Sequence, residues 1–182
     1  MKPEPEARTE MDRMADIATD GGVTLSGRIR ARHRCLQTRI ATLEFDGRAR
    51  HARVVQLAEE LVAHATAEQL VLYPYAEELL GLHDLSFEIE RALDALLGVV
   101  GGMEDDTLFG GAIARLSVVF ERHVDGDELG LLPMVEALGA PDQLVRMGET
   151  IEEFERSLGT ARRENPGFWS EAMAPAPGGW RN

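Results

Sequence analysis

Apolar residues recur along most of this chain at alternating steps of three and four, the period of one face of a helix. Sustained apolar/polar alternation with β-branched enrichment, the mark of a strand, is nearly absent. The pattern predicts a first helix from about Thr24 to Leu43, closed by Asp46-Gly47, and a second from about Arg48 to Leu80, closed by Gly81. A third follows from about Leu82 to Val100, before Gly101-Gly102, and a fourth from about Asp106 to Leu138, before Gly139-Ala140-Pro141. A fifth runs from Pro141 to Arg163, with proline in its first turn. Short links make successive helices antiparallel. The expected fold is therefore all-α: an up-down-up-down four-helix bundle over residues 23–140 with an additional C-terminal helix over 141–163. Residues 1–22 are polar, carry two prolines and read as a mobile arm. Residues 164–182, rich in proline and glycine, read as a tail whose Trp169 and Trp180 either dock back on the domain or meet a partner.

The apolar seams are interrupted. In the first helix the seam is Ile29, His33, Leu36, Ile40 and Leu43. In the second it is Val54, Leu57, Leu61, His64, Glu68, Val71 and Tyr75; in the fourth, Ile113, Leu116, Phe120, His123, Asp127, Leu131 and Met134. A histidine inside such a stripe points into the bundle, and an acid four residues on lies one turn along the same face. The second and fourth helices also superpose without gaps when His64 is matched to His123. Seven identities and one acid-for-acid match over 23 positions suggest duplication of a two-helix unit. Shared leucines alone would fit two unrelated amphipathic helices, but a shared histidine, acid and proline do not.

Burying an unpaired carboxylate costs several kcal/mol, and these seams hold no lysine or arginine. A metal ion satisfies buried imidazoles and carboxylates together. A lone histidine on an apolar face is more often a satisfied core residue; four on four helices, two with an acid at the fourth position beyond, favour a metal. The candidate ligands are His33, His64, Glu68, His83, His123 and Asp127, with Glu128 as the alternative to Asp127 if Gly126 permits a local bulge. His83 sits at the edge of the third helix's stripe, about 100° from Leu82. His51 lies about 20 Å along its helix from His64 and reads as a surface residue. Pro74 and Pro133 each follow a seam histidine by ten residues. Each removes an i→i−4 bond, and so either bends the helix end over the site or marks a shared way of ending the helix.

Composition narrows the chemistry. The chain has 182 residues, with 19 Lys+Arg against 32 Asp+Glu, a net charge of −13. That excludes electrostatic binding to nucleic acid or an anionic membrane. The longest strongly apolar run, Leu96 to Val100, is far short of the roughly 20 residues of a membrane span. Cys35 is the sole cysteine, so internal disulfides and thiolate zinc sites are excluded. The N-terminus lacks an apolar core, and a cytoplasmic location is expected. Four imidazoles and two carboxylates suit iron, manganese or zinc. Residues three before each histidine are Arg30, Arg48, Leu61, Leu80 and Phe120, which excludes the Glu-x-x-His signature of ferritin-type di-iron bundles. His-Glu-x-x-His, a glycine-rich phosphate loop and a Ser/His/Asp order are absent.

His33, then His64-x-x-x-Glu68 with Leu72-Tyr73-Pro74, then His83, then His123-x-x-x-Asp127 with Leu131-Leu132-Pro133, form an ordered set. It resembles the haemerythrin-like family, also called HHE cation-binding domains, over about residues 24 to 138. The resemblance implies a four-helix bundle holding two non-haem irons, bridged by carboxylates and by an oxide or hydroxide and capped by the histidines; zinc or manganese are alternatives. It also implies that the protein binds, senses or reacts with O₂, peroxide or nitric oxide. Two departures stand out. Oxygen-carrying members have a further histidine four residues after the third-helix ligand, where this chain has Phe87, and Asp127 stands where glutamate is common. The second reading is a regulatory metal-binding module with little chemistry, acting on a protein partner through helix 141–163 and the tail. The third is a metal-free structural bundle.

Overall fold

Thr24 starts the first helix because its hydroxyl accepts a hydrogen bond from the Gly27 N–H at 3.0 Å, occupying one of the donors a helix start leaves free. The structure is a computed structural model and describes residues 24–43, 50–81, 98–99 and 105–164. Helix α1 spans Leu25–Thr42. Helix α2, Arg50–Ala67, leads through a π-helical turn, Glu68–Leu72, into α3, Tyr73–Leu80. That rod ends at Gly81, whose φ of 65° lies in the left-handed region that favours glycine. Asp105 caps α4, Asp106–Asp125, by accepting from the N–H groups of Thr107 and Leu108. A second π-helical turn, Gly126–Leu131, leads into α5, Leu132–Leu138, and α6 covers Pro141–Glu164. The described residues contain no strand, so the fold is all-α, as the seams predict. No helix among them is long and apolar enough to cross a membrane. The predicted third helix, with His83 and Phe87, lies outside the described residues except for Gly98 and Val99. So do the arm 1–22 and the tail with Trp169 and Trp180.

The prolines do not end their helices; they accompany a widened turn. Proline lacks an N–H, and its ring crowds the carbonyl four residues back, here that of Leu70 or Leu129. The chain instead inserts one residue. The Tyr73 N–H donates to the Glu68 carbonyl and the Leu132 N–H to the Asp127 carbonyl, both five residues back. The insertion shifts the seam by one position. Seam residues upstream are buried as predicted, and so is Leu131, but the other buried residues from the bulge onward are Leu72, Tyr73 and Ala76, and Leu132 and Val135. Val71 and Tyr75 are only half-buried and Met134 is exposed, correcting the straight-helix expectation for those three.

Two apolar layers result. One packs Leu36, Ile40, Leu57, Leu61, Leu116 and Phe120. The other packs Leu25, Ile29, Leu72, Leu131, Leu132 and Ile151. Between them, at the level of His33, His64 and His123, runs a single polar plate. Helix α6 lies against α1 and α2 and buries Leu144, Met147 and Ile151. Its contacts ascend with those of α1: Gly148 meets Leu25 and Arg28, Glu152 pairs with Arg28, and Glu155 pairs with Arg32. The two helices therefore run parallel.

Gly148 makes this approach close. A Cβ there would stand 3.0 Å from the Arg28 Cδ and 3.3 Å from the Leu25 Cα. Gly148→Leu is expected to destabilise the protein by about 1–3 kcal/mol through overpacking, read as a lower urea midpoint.

Candidate metal centre

Glu68 lies at the middle of the polar plate and is fully buried, as is His33. The seam of α2 carries it inward one turn after His64, where the first π turn begins. Its two oxygens face different histidines. Oε1 lies 3.3 Å from His64 Nε2 and 3.5 Å from His33 Nε2, while Oε2 lies 3.2 Å from His123 Nε2. Asp127, also buried, brings Oδ2 to 3.9 Å from His123 Nε2. The three imidazole rings stand edge to face, with centroids 4.9, 5.1 and 5.7 Å apart. Phe120 closes the plate on one side, its ring centroid 5.9 Å from that of His33 and 5.6 Å from that of His123.

The outer nitrogens of two rings are tied down. His33 Nδ1 lies 2.9 Å from Glu128 Oε1, and His64 Nδ1 lies 3.1 Å from Glu155 Oε1 on α6. Since a carboxylate only accepts, Nδ1 donates in each pair, and the Nε2 of a neutral ring is left as a lone pair aimed at Glu68. The inner atoms are unsatisfied. His33 Nε2, His64 Nε2, both Glu68 oxygens and Asp127 Oδ2 are buried without an aligned hydrogen-bond partner, despite the short separations. Orphaned polar atoms in such number are costly, and the lone pairs of His64 and His33 facing Glu68 Oε1 across 3.3 and 3.5 Å call for a cation between them. His33, His64, Glu68 and His123 each offer one ligand atom, all within 4.8 Å of one another, a set that can hold a metal ion. Together with the fold, this cluster indicates a metal-binding helical protein.

Proton affinities in the plate diverge. Burial pushes the Glu68 carboxyl up, but the surrounding imidazoles in their protonated form, His64 foremost by its charge, outweigh burial and hold it well below its ordinary 4.5. Burial first, and then the negative charge of Glu68, raise Asp127 from 3.8 to about 8. Burial also lowers His64 below 6.5, against the pull of Glu68 and Glu155. At neutral pH the metal-free plate thus holds one ionised and one protonated acid.

Of the candidates from the sequence, His33, His64, Glu68, His123 and Asp127 converge. His83 lies outside the described residues. The bulge that Gly126 permits does form, but it carries Glu128 to the outer nitrogen of His33, whereas Asp127 faces the plate. Glu155 was missed. Its signal is the same as for the other acids: it follows Ile151 by four residues on the buried stripe Leu144, Met147, Ile151.

The sequence profile of the hemerythrin HHE cation binding domain matches residues 24–135. That span holds all three plate histidines, Glu68, Asp127 and Glu128, while α6 and Glu155 lie beyond it. No curated protein and no solved structure matches the chain.

Asp127 has a folded pKa above its unfolded value. Its contribution to the stability of the metal-free protein is therefore full below about pH 4 and lost as pH rises towards 8. Asp127→Asn, which mimics the neutral acid, is expected to gain stability relative to the parent between pH 5 and 8 and hold a constant lead above that. Urea unfolding of chelator-treated proteins across this range measures the difference.

Proposed function

Because the chain belongs to the hemerythrin HHE cation-binding domain family, we propose that it is a non-haem di-iron protein that handles O₂, peroxide or nitric oxide. His33, His64, Glu68, His83, His123 and Asp127 would hold the metal, and the two acids would bridge. One observation carries this reading: buried Glu68 divides its two unsatisfied oxygens between His33 and His64 on one side and His123 on the other. A carboxylate bridging two cations has this geometry, and a singly ligating one does not need it. Iron there supplies one-electron changes and open positions for a small ligand.

The residues of the chain do the rest. Glu128 and Glu155 hold two imidazoles with their lone pairs inward. Phe120 and the two apolar layers bound the plate with apolar side chains. Asp127 stores a proton that a bound cation releases. Phe87 takes the place where oxygen carriers have a further imidazole, which favours reaction or sensing over reversible carriage. The acidic balance of the chain, net −13, supports small ligands rather than nucleic acid as partners. The bond from α6 to His64 favours a second reading, in which metal occupancy signals to a protein partner through that helix and the tail.

Untagged protein is expected to carry two irons per chain by metal mass spectrometry. A reduced sample mixed with O₂ or peroxide in stopped flow is expected to reach an oxidised spectrum that degassing does not reverse. Full recovery over repeated cycles would mean a carrier, and no reaction with any small oxidant would favour the regulatory reading.

Glu68→Ala is expected to lose the second metal while retaining its helical circular dichroism. Two metals bound as tightly as in the parent would remove the bridging role.

A further inference from the structure

His64 has two carboxylates competing for its ring proton. Glu68 Oε1 stands 3.3 Å from Nε2, and Glu155 Oε1 stands 3.1 Å from Nδ1. A proton on Nε2 would satisfy Glu68 but leave no lone pair there for a metal. A proton on Nδ1 leaves Nε2 free. We propose that Glu155, anchored by Arg32, is a positioning residue that keeps the proton on Nδ1 and so presents Nε2 of His64 to the metal. This makes α6, beyond the matched span 24–135, part of what holds the centre together. The proposal rests on the metal-binding reading above.

Glu155 is built into a network rather than left at the surface. Its side chain is 16% exposed, and Oε2 forms an ion pair with Arg32, whose Nε lies 3.2 Å away. Arg32 in turn donates through Nη2 to the Glu60 carbonyl at 3.4 Å, with Nη1 3.8 Å from the Glu60 carboxylate. Arg39 Nε, at 3.0 Å, and Gln56, also at 3.0 Å, hold that carboxylate from the other side. A groove of about 380 Å³ between α1 and α6 opens beside the pair, lined by Arg28, Arg32, Cys35, His64, Glu152 and Glu155. Without Glu155, water entering this groove could serve either tautomer, and buried Glu68 would decide in favour of Nε2–H. Orienting carboxylates of this kind typically alter metal affinity by about 10- to 100-fold.

The test compares the full chain with Glu155→Leu, Glu155→Gln and Arg32→Gln. Long-range ¹H–¹⁵N correlation on the metal-free proteins reads the His64 tautomer. Anaerobic Fe(II) titration against a chromophoric chelator reads affinity. The parent and Glu155→Gln, whose amide oxygen still accepts, are expected to keep the proton on Nδ1 and bind Fe(II) within about 3-fold of each other. Glu155→Leu is expected to move the proton to Nε2 and lose about 10- to 100-fold in affinity. Arg32→Gln leaves Glu155 in place but unanchored and is expected to lose roughly 10-fold, which tests the proposal even if the leucine variant does not fold. Binding by Glu155→Leu within 3-fold of the parent, or an unchanged tautomer, would overturn the role of Glu155 alone. If Arg32→Gln is the variant in hand, parent-like affinity has the same meaning. A parent that binds no Fe(II) would overturn the proposed function as well, whatever the tautomers show.

Discussion

The bundle is arranged around a carboxylate whose two oxygens have no aligned hydrogen-bond partner among the described residues. Glu68 is fully buried, ionised at neutral pH and surrounded by three imidazoles. In a purely structural core such a group would be replaced by leucine at a gain in stability. Here the helices instead converge on it, with one apolar layer on each side. The inner atoms of the plate are buried, so they must be satisfied from within or by a cation.

The π turns are the backbone expression of that demand. Each begins at or beside the acid of a His-x-x-x-acid pair and ends just before the proline pair's first residue, Tyr73 or Leu132. The acid faces the plate one turn after its histidine, and the extra residue makes the following segment re-enter the core one position later. Proline at the second position of the next segment stabilises the arrangement negatively, by removing the bond that a regular α-helix would require there. The same device occurs in both copies of the repeat, which places Glu68 and Asp127 in corresponding positions with opposite protonation. Glu68 is stabilised as an anion by its imidazoles, and its charge is then a main reason that Asp127 remains neutral.

Helix α1 organises the periphery. Arg30 and Arg32 flank His33 on its helix, and each reaches an outer carboxylate: Arg30 Nε lies 3.8 Å from Glu128 and Arg32 Nε 3.2 Å from Glu155. Those carboxylates hold the Nδ1 atoms of His33 and His64. The ion pairs are partly exposed and contribute little to stability by themselves. Their effect is geometric, because they limit the freedom of the acids that set the rings.

Helical periodicity, the interrupted stripes and the histidine-acid spacing determined the all-α fold and brought His33, His64, Glu68, His123 and Asp127 onto inward faces. Those are local properties, since side-chain direction follows from rise and twist along one helix. The seam beyond residues 68 and 127 was misread because a one-residue π insertion leaves no mark in hydrophobic spacing. Its trace was the shared proline, which alone does not distinguish a kink from a bulge. Which oxygen of Glu68 faces which ring, that Glu128 supports His33 while Asp127 faces inward, and that Glu155 reaches His64 from 91 residues away were decided only by tertiary packing. Each depends on the mutual rotation and register of helices distant in sequence, and no periodicity within a single helix encodes that relation.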